Sequence, residues 1–336
     1  MARERIVSAE SQPKDDTPAV PASGPAIRPR KMDEYVGQSA LVERLSIALE
    51  AVKARSEPME HVLLHGPPGL GKTTLAHVIA EEMGSNAWVT SGPALTKAAD
   101  LVGTLTKLGE QDVLFIDEIH RLPAAVEEYI YPAMEDFRVD FTVDSGMHAK
   151  VITLELKPFT LIGATTRAGL LTHPLRARFG ITHHLEYYPQ KDLEQIIHKA
   201  TQRLGMSQVD ASGIAGIAMR SRGTPRVALR LLRRVRDFSQ VRGTGSIDEA
   251  TVIGALALEG VDELGLDELD RKYMRVLADI YEGGPAGLEA IAATLGDDSG
   301  TLEDVVEPYL LQIGFLARTK QGRKLTAAGR EHLASS

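Results

Sequence analysis

Residues 66–73 read Gly-Pro-Pro-Gly-Leu-Gly-Lys-Thr, and this stretch decides the fold. It matches the pattern G-x-x-x-x-G-K-[ST], follows the apolar run 61–65 and opens a helical stretch that Gly84 stops. In that context the glycines let backbone N–H groups turn inward around phosphate groups, and the helix N-terminus adds the positive end of its dipole. Lys72 is placed to reach the β- and γ-phosphates, and the Thr73 hydroxyl to bind Mg²⁺. The stretch therefore predicts a nucleotide site at the end of a buried strand.

A second apolar run, 113–116, ends in two carboxylates, Asp117 and Glu118. The carboxyl ends of parallel strands meet at one edge of a sheet, so these acids should lie beside the phosphates. We expect Asp117 to hold Mg²⁺ through water, and Glu118 to orient and deprotonate the attacking water. The two motifs together predict ATP hydrolysis.

A third apolar run, 159–163, is followed by Ala164-Thr165-Thr166-Arg167. A hydroxyl at this strand end can contact the γ-phosphate or the attacking water, and we favour Thr166 over Thr165 for that role. The alternative is that the hydroxyl at this strand end only stabilises a turn and has no contact with nucleotide or water.

Two arginines of the stretch 174–180 follow this third strand, where an arginine can reach the ATP of a neighbouring subunit. We favour Arg178 for this role and keep Arg176 as the second choice. Further on, Pro225 opens a helix, as its fixed φ allows, and Arg226 follows it. Arg226 could reach back to the γ-phosphate and couple two domains.

The chain divides into four parts on the pattern of its residues. The stretch 1–26 is rich in Pro, Ser, Ala and charge and predicts a flexible tail. Short apolar strands alternate with helices over 27–188, which predicts a parallel sheet, with a β-hairpin inserted at 138–156 around the turn Asp144-Ser145-Gly146. Residues 189–260 are helical, and 261–336 give helices followed by a basic hairpin, the order of a winged helix.

Composition narrows the class of protein. The 336 residues contain no cysteine, which excludes disulfides, thiol catalysis and cysteine-ligated metals. No apolar run approaches the length of a membrane span and the start lacks a secretion signal, so we expect a cytoplasmic protein with no membrane contact. The net charge is −8, yet 317–330 hold five basic residues and no acid. Such a basic wing suits phosphate contacts that ignore base sequence.

These motifs resemble the AAA+ ATPase superfamily and, within it, the RuvB family. The residues that carry the closer resemblance are Gly66–Thr74, the run VLFIDEIHRL at 113–122, Tyr131–Asp136, IGATTRAG at 162–169 and Gly223–Arg226. The resemblance runs from about Ile27 to Arg330. It implies an α/β fold: an AAA+ P-loop ATPase with a parallel sheet, a small helical lid domain and a C-terminal winged-helix domain.

The resemblance also implies a function and its sites. RuvB proteins are ATP-driven motors of Holliday-junction branch migration that act as homohexameric rings on duplex DNA with RuvA, and RuvC is a possible further partner. RuvA would dock on the hairpin 138–156. Arg318 and Arg323 match the DNA contacts on the wing. The residues implied around the nucleotide are Ile27, Arg28, Gly66, Gly69, Leu70, Gly71, Lys72, Thr73, Thr74, Glu135, Asp136, Phe137, Arg178, Tyr188 and Arg226.

Two other functions remain open at this point. A clamp loader or initiator, which uses ATP as an assembly switch on DNA, fits the wing and the arginine finger equally well. A protein unfoldase carries an aromatic residue in the pore loop between its second and third strands. No aromatic residue stands between Trp88 and Phe115, which argues against the unfoldase.

Overall fold

The computed structural model describes residues 27–55, 57–142 and 151–335. The tail predicted at 1–26 and the hairpin turn at 144–146 lie outside the described residues. The first part of the chain alternates helices and strands. These are α1 (Ser39–Arg55), β1 (Val62–His65), α2 (Lys72–Met83), β2 (Ala87–Ser91), α3 (Ala98–Leu105), β3 (Val113–Asp117), α4 (Ala124–Glu135), β4 (Arg138–Thr142), β5 (Val151–Glu155), β6 (Thr160–Thr165), α5 (His173–Ala177) and β7 (Ile181–His184).

A five-stranded parallel sheet, in the order β2-β3-β6-β1-β7, organises this part. The residues of β6 are all buried, as are the apolar residues of β1 and β3, which is why the sequence shows them as continuous apolar runs. His65 pairs with Thr165 across β1 and β6. Their neighbour β3 ends at Asp117, so the three loops that carry the motifs leave the sheet side by side.

Strand β7 was not among the sequence predictions. It lies at the sheet edge against β1, and its residues alternate between half-buried and exposed. The sequence Ile-Thr-His-His gives no continuous apolar run, because an edge strand needs to bury only one face.

Both strands of the predicted hairpin are present. β4 and β5 pair antiparallel as a separate two-stranded sheet, with Val139 opposite Leu154. Val139 is fully buried in the core on one face of the main sheet. The base of the hairpin is therefore anchored in the ATPase part.

Four helices follow: α6 (Gln190–Arg203), α7 (Ala211–Met219), α8 (Pro225–Arg242) and α9 (Glu249–Leu258). Leu193, Ile197 and Leu232 from these helices belong to the same apolar cluster as Leu64 and Leu75 of the ATPase part. This helical lid consequently packs directly onto the domain that carries the P-loop.

The C-terminal part has its own apolar core, which includes Tyr273, Leu310 and Leu325. Its elements are α10 (Glu268–Arg275), α11 (Leu288–Leu295), α12 (Ser299–Thr301), α13 (Glu307–Gln312), β8 (Leu316–Thr319), β9 (Gly322–Leu325) and α14 (Ala327–Ser335). Single π-helical turns, Val276–Ile280 and Leu302–Val306, continue α10 and join α12 to α13. β8 and β9 pair antiparallel around the predicted basic turn. Among the described residues, no helix is both long and apolar enough to span a membrane.

Candidate functional site

The P-loop closes a cleft between the sheet and the lid. A cavity of about 320 Å³ opens there. Its walls are formed by Ile27, Arg28, Pro68, Gly69, Gly71, Lys72, Thr73, Thr74, Asp117, Glu118, Thr166, Pro225, Arg226, Leu229 and Arg233. The structure thus brings together the residues predicted from three strand ends and from the lid. The sequence reading missed Leu229 and Arg233, which reach the cleft only because α8 packs across it.

Two glycines of the P-loop have positive φ values and closely packed surroundings that disfavour a side chain. Gly66 has φ +137°, and a Cβ there would lie 2.6 Å from the carbonyl oxygen of Leu185. Gly69 has φ +83°, and a Cβ there would lie 3.1 Å from Cβ of Arg226. The loop is therefore shaped by its contacts with β7 and the lid as well as by its own turns.

Lys72 is buried at the start of α2. Its Nζ donates to the carbonyl oxygens of Gly66 and Pro67, at 2.9 Å each. Burial lowers the pKa of Lys72, whereas the negative charges of Asp117 and Glu118 raise it. The ammonium is held at the mouth of the loop by neutral oxygens, and within the described residues it forms no ion pair with a carboxylate.

Glu118 follows β3 in an unusual backbone conformation, with φ +47°. A residue with a side chain rarely adopts this left-handed region, and such strain often marks functional sites. The backbone N–H of Glu118 donates to Oδ1 of Asp117 at 3.0 Å. The turn holds the two carboxylates together at the wall of the cleft, as the sequence predicts.

Thr165 and Thr166 take separate positions around Glu118. Thr166 Oγ1 donates to Oε2 of Glu118 at 3.3 Å and lines the cleft. Thr165 is fully buried, and its hydroxyl lies 2.8 Å from Nδ1 of His120. His120 Nδ1 is in turn 3.2 Å from Oε2 of Glu118. The geometry favours Thr166 for contact with nucleotide or water and places Thr165 behind it.

The other end of the cleft is more apolar. Ile27 and Tyr188 are buried there, and Arg28 and Thr74 line the same small pocket. The Tyr188 hydroxyl donates to the carbonyl oxygen of Leu70 at 3.1 Å. Such a pocket suits an adenine ring, and the contact of these residues with the nucleotide base stays a prediction.

The lid meets the P-loop at the start of α8. The backbone N–H of Arg226 donates to the carbonyl oxygen of Gly69 at 3.3 Å, and the Arg226 side chain lines the cleft. Its charge is near enough to lower the pKa of Lys72, although burial has the larger effect. Arg226 is therefore in place to meet a phosphate from the lid side.

Arg178 lies outside the cleft of its own chain. It lies at the end of α5, where its guanidinium covers the Tyr131 ring at 4.2 Å and its Nε is 3.2 Å from Oε1 of Glu135. Asp136 and Phe137 follow Glu135 at the end of α4 and are also absent from the residues that line the cleft. Arg176 is exposed on α5. The roles of these residues toward nucleotide stay predictions.

The wing arginines are already paired within their own domain. Glu307 is fully buried, and its carboxylate accepts from Nε of Arg318 and from Nε of Arg323, at 2.8 Å each. The Tyr273 hydroxyl donates to the same carboxylate at 2.8 Å. The wing itself has no acid, as the sequence shows, but the preceding helix supplies one. The DNA role of Arg318 and Arg323 stays a prediction.

Comparisons with known proteins cover nearly the whole chain. Three family models match in succession: the Holliday junction DNA helicase RuvB P-loop domain at 27–185, the RuvB AAA lid domain at 188–262 and the RuvB C-terminal winged helix domain at 263–334. The chain belongs to the RuvB family. The predicted family and fold class are both confirmed.

Relatives and solved structures agree with RuvB membership. A protein named Holliday junction branch migration complex subunit RuvB from Desulfosudis oleivorans is 54% identical over 92% of this chain and 90% of its own length. Its namesake from Kosmotoga olearia is 55% identical over 91% of this chain and 90% of its own length. The Thermotoga maritima RuvB Holliday junction branch migration motor superposes with a TM-score of 0.83 at 49% identity, covering 92% of this chain and 98% of that one.

Proposed function

We propose that this chain is an ATP-driven motor that moves Holliday junctions by branch migration, acting on duplex DNA in company with RuvA. The observation that carries the proposal is the succession of three RuvB domain matches over a chain whose cleft is lined by Lys72, Glu118 and Arg226. The relatives named above are branch-migration subunits and motors by their printed names. A clamp-loader role is supported by no further observation.

In the proposed hydrolysis, the residues at the three strand ends divide the work. Glu118 orients a water molecule and accepts its proton, and the Thr166 hydroxyl fixes the direction of the carboxylate by its hydrogen bond. Lys72 exchanges its carbonyl partners for phosphate oxygens, and Arg226 approaches the same phosphates from the lid.

The donor set at the cleft fits Mg²⁺. Thr73 and Asp117 line the same cavity and offer a hydroxyl and a carboxylate, the hard oxygen ligands that this ion prefers. When bound, the ion would stabilise charge that develops on the phosphate oxygens.

We infer that the motor is a homohexameric ring in which Arg178 completes the site of the neighbouring subunit. Arg178 lies outside its own cleft, so it can reach a nucleotide only from another subunit. Glu135, Asp136 and Phe137 lie on the same side of the molecule and would share that interface.

The remaining partners follow from the same proposal. The hairpin of β4 and β5 forms a separate two-stranded sheet and is our candidate for the RuvA contact, and RuvC is a possible third component at the junction. A motor of this kind works on the chromosome, which supports a cytoplasmic location.

The proposal is tested with a synthetic four-way junction that has homologous arms. We expect ATP-dependent conversion to duplex products by the full chain with its cognate RuvA, and loss of conversion in Glu118→Gln. Conversion that requires no ATP, or no conversion while ATPase activity and DNA binding persist, would contradict the proposal and favour a loader or initiator.

A further inference from the structure

Two of the ion-paired contacts between the winged helix and the rest of the described chain differ in exposure. At the first, which we call the hinge, Arg222 of the lid lies 2.5 Å from Oδ2 of Asp270 and 3.0 Å from Oδ2 of Asp267. Side-chain exposure is only 10% for Arg222 and 1% for Asp270. A buried ion pair of this kind is costly to open, because separation leaves an unpaired charge.

The second contact, which we call the latch, joins the winged helix to the ATPase sheet. Nη2 of Arg167 lies 2.6 Å from Oδ1 of Asp304 and 3.1 Å from Oε2 of Glu303. These side chains are 40%, 56% and 32% exposed. Exposed ion pairs contribute little stability and are screened by salt, so the latch can open and close at small cost.

On the ATPase side, the latch is continuous with the residues around the catalytic glutamate. Arg167 directly follows Thr166, whose hydroxyl donates to Glu118. The backbone N–H of Arg167 donates to Oγ1 of Thr165 at 2.9 Å, and that hydroxyl contacts His120. Burial lowers the pKa of His120, and the charges of Arg167 and Asp304 shift this pKa in opposite directions. A movement of the Glu118 carboxylate is therefore passed to Thr166 by their hydrogen bond, and Arg167 is the next residue in the chain.

On the winged-helix side, the latch is continuous with the wing. Oε1 of Glu303 is 3.6 Å from Nη1 of Arg318 and 3.6 Å from Nη2 of Arg323. Glu303 thus stands between Arg167 and both wing arginines. A single cavity of about 620 Å³ is lined by Glu118 and Thr166 on one wall and by Glu303 and Arg318 on the other.

We propose that the latch of Arg167, Glu303 and Asp304 couples the nucleotide state of the cleft to the DNA affinity of the wing. DNA phosphates compete with Glu303 for Arg318 and Arg323, and a Glu303 released from them binds Arg167 more strongly. Conversely, a shift of Thr166 with the nucleotide moves Arg167 and changes how firmly Glu303 holds the wing arginines. The coupling is reciprocal because it is a free energy shared by two sites.

The proposal rests on the proposed function in one respect, the contact of the wing arginines with DNA. Asp304→Asn is the sharpest variant, because the ion pairs of Asp304 in the described part of the chain involve Arg167 alone and leave Arg318 and Arg323 untouched. Arg167→Gln removes the latch from the other side. The matched control is Glu268→Gln, which breaks an exposed ion pair to Lys272 on the same domain.

The measurement is the dissociation constant of the full chain for a DNA duplex, with ADP and with a non-hydrolysable ATP analogue. We expect the ratio of the two constants to differ from 1 in the wild type and to move toward 1 by about 3- to 30-fold in Asp304→Asn and in Arg167→Gln. The double variant should give the ratio of Arg167→Gln alone, because Arg167→Gln already removes the ion pair that Asp304→Asn removes as well as the pair to Glu303. Glu268→Gln should keep the wild-type ratio.

The latch is refuted by a wild-type ratio of 1, by unchanged ratios in both variants, or by an equal change in Glu268→Gln. Failure of the proposed function is seen separately, as a wild type that does not convert four-way junctions. A wild type that converts junctions while Arg167→Gln and Asp304→Asn both keep the full ratio would leave the motor standing and remove the latch.

Discussion

In the nucleotide cleft, Lys72 donates to two backbone carbonyl oxygens; in the wing, Arg318 and Arg323 donate to the buried carboxylate of Glu307. We predict that the cations of both regions meet phosphate groups, and within the described residues the wing arginines have a carboxylate partner whereas Lys72 has none. A phosphate that enters the cleft replaces neutral partners of Lys72. A phosphate that reaches the wing must compete with a full negative charge.

The difference teaches that the two regions are suited to different affinities. The cleft is preorganised, so it can hold its ligand tightly through a cycle of chemistry. The wing exchanges one charged partner for another, so its net gain per DNA contact is small and salt-sensitive. Weak, exchangeable contacts suit a protein that moves along DNA.

The largest expected effect tests whether the cleft is complete within one chain. Arg178→Ala should lower ATP turnover by about 10³-fold or more, as for other arginine fingers, while nucleotide binding stays unchanged because Arg178 is outside the cleft of its own chain. Phosphate release and nucleotide titration check both parts. Mixing with a Lys72→Ala chain should restore part of the activity. Arg176→Ala is the control on the same helix, and a loss there without a loss in Arg178→Ala would reverse our assignment.

The next effect lies inside the cleft. Glu118→Gln should reduce turnover by about 10²- to 10⁴-fold, because the amide cannot accept the proton of the attacking water. Binding of nucleotide should persist, since Lys72 and the P-loop are untouched. Single-turnover phosphate release measures the loss. Wild-type turnover in this variant would remove the role that we assign to Glu118.

A smaller effect is expected on the DNA affinity of the wing. Two wing lysines allow this affinity to be tested without disturbing the ion pairs of Glu307. Lys320 and Lys324 are exposed, and within the described residues neither forms an ion pair shorter than 4.0 Å. The variant with both lysines changed to Gln should lower the slope of log affinity against log salt by about 0.9 for each lost phosphate contact.

Arg318→Ala together with Arg323→Ala should lower the same salt slope and also destabilise the winged helix, because Glu307 loses both cations. DNA titrations at several salt concentrations, with thermal unfolding in parallel, separate the two effects. A slope that stays at the wild-type value in both double variants would mean that the wing is not on DNA.

The smallest effect concerns the hinge, where Arg222 forms ion pairs with two carboxylates, those of Asp267 and Asp270. Burial raises the pKa of Asp270 from 3.8 to about 7, although Arg222 opposes the shift. The folded chain then keeps a proton that the unfolded chain releases, so stability falls as the pH rises from about 4 to about 7. The slope is at most about 1.4 kcal/mol per pH unit.

Thermal unfolding midpoints between about pH 5 and about pH 7.5 measure this dependence, because this range begins above the ordinary pKa of Asp270, 3.8, and ends just above the raised pKa of about 7. Asp270→Asn should flatten it. Asp267→Asn should weaken the dependence without abolishing it, because burial is the largest cause of the raised pKa of Asp270 and the charge of Asp267 is a smaller one. A dependence that survives Asp270→Asn would show that another group titrates.

Much of the cleft is predictable from sequence because each part of it follows a buried strand. The apolar runs of β1, β3 and β6 are long enough to be seen. The P-loop that ends in Lys72 follows β1, Asp117 is the last residue of β3, and Thr166 follows β6. Parallel pairing then fixes their proximity. Strand β7 was missed because one exposed face and two histidines interrupt its apolar pattern.

Other features depend on contacts between distant segments, which local patterns do not show. Glu303 and Glu307 precede the wing in a helical stretch, and nothing in that stretch indicates that they turn toward Arg318 and Arg323. Arg167 looks like an ordinary strand-end arginine until the winged helix packs against it. The positive φ of Glu118 is likewise a property of the turn and leaves no glycine in the sequence to announce it.

Tyr188 is held at both of its ends. Its backbone N–H donates to the carbonyl oxygen of Gly223 in the lid at 2.8 Å, and its hydroxyl donates to the carbonyl oxygen of Leu70 in the P-loop at 3.1 Å. A movement of the lid would therefore be transmitted through Tyr188 to the P-loop. We expect the rate of ADP release to depend on the movement of the lid for this reason.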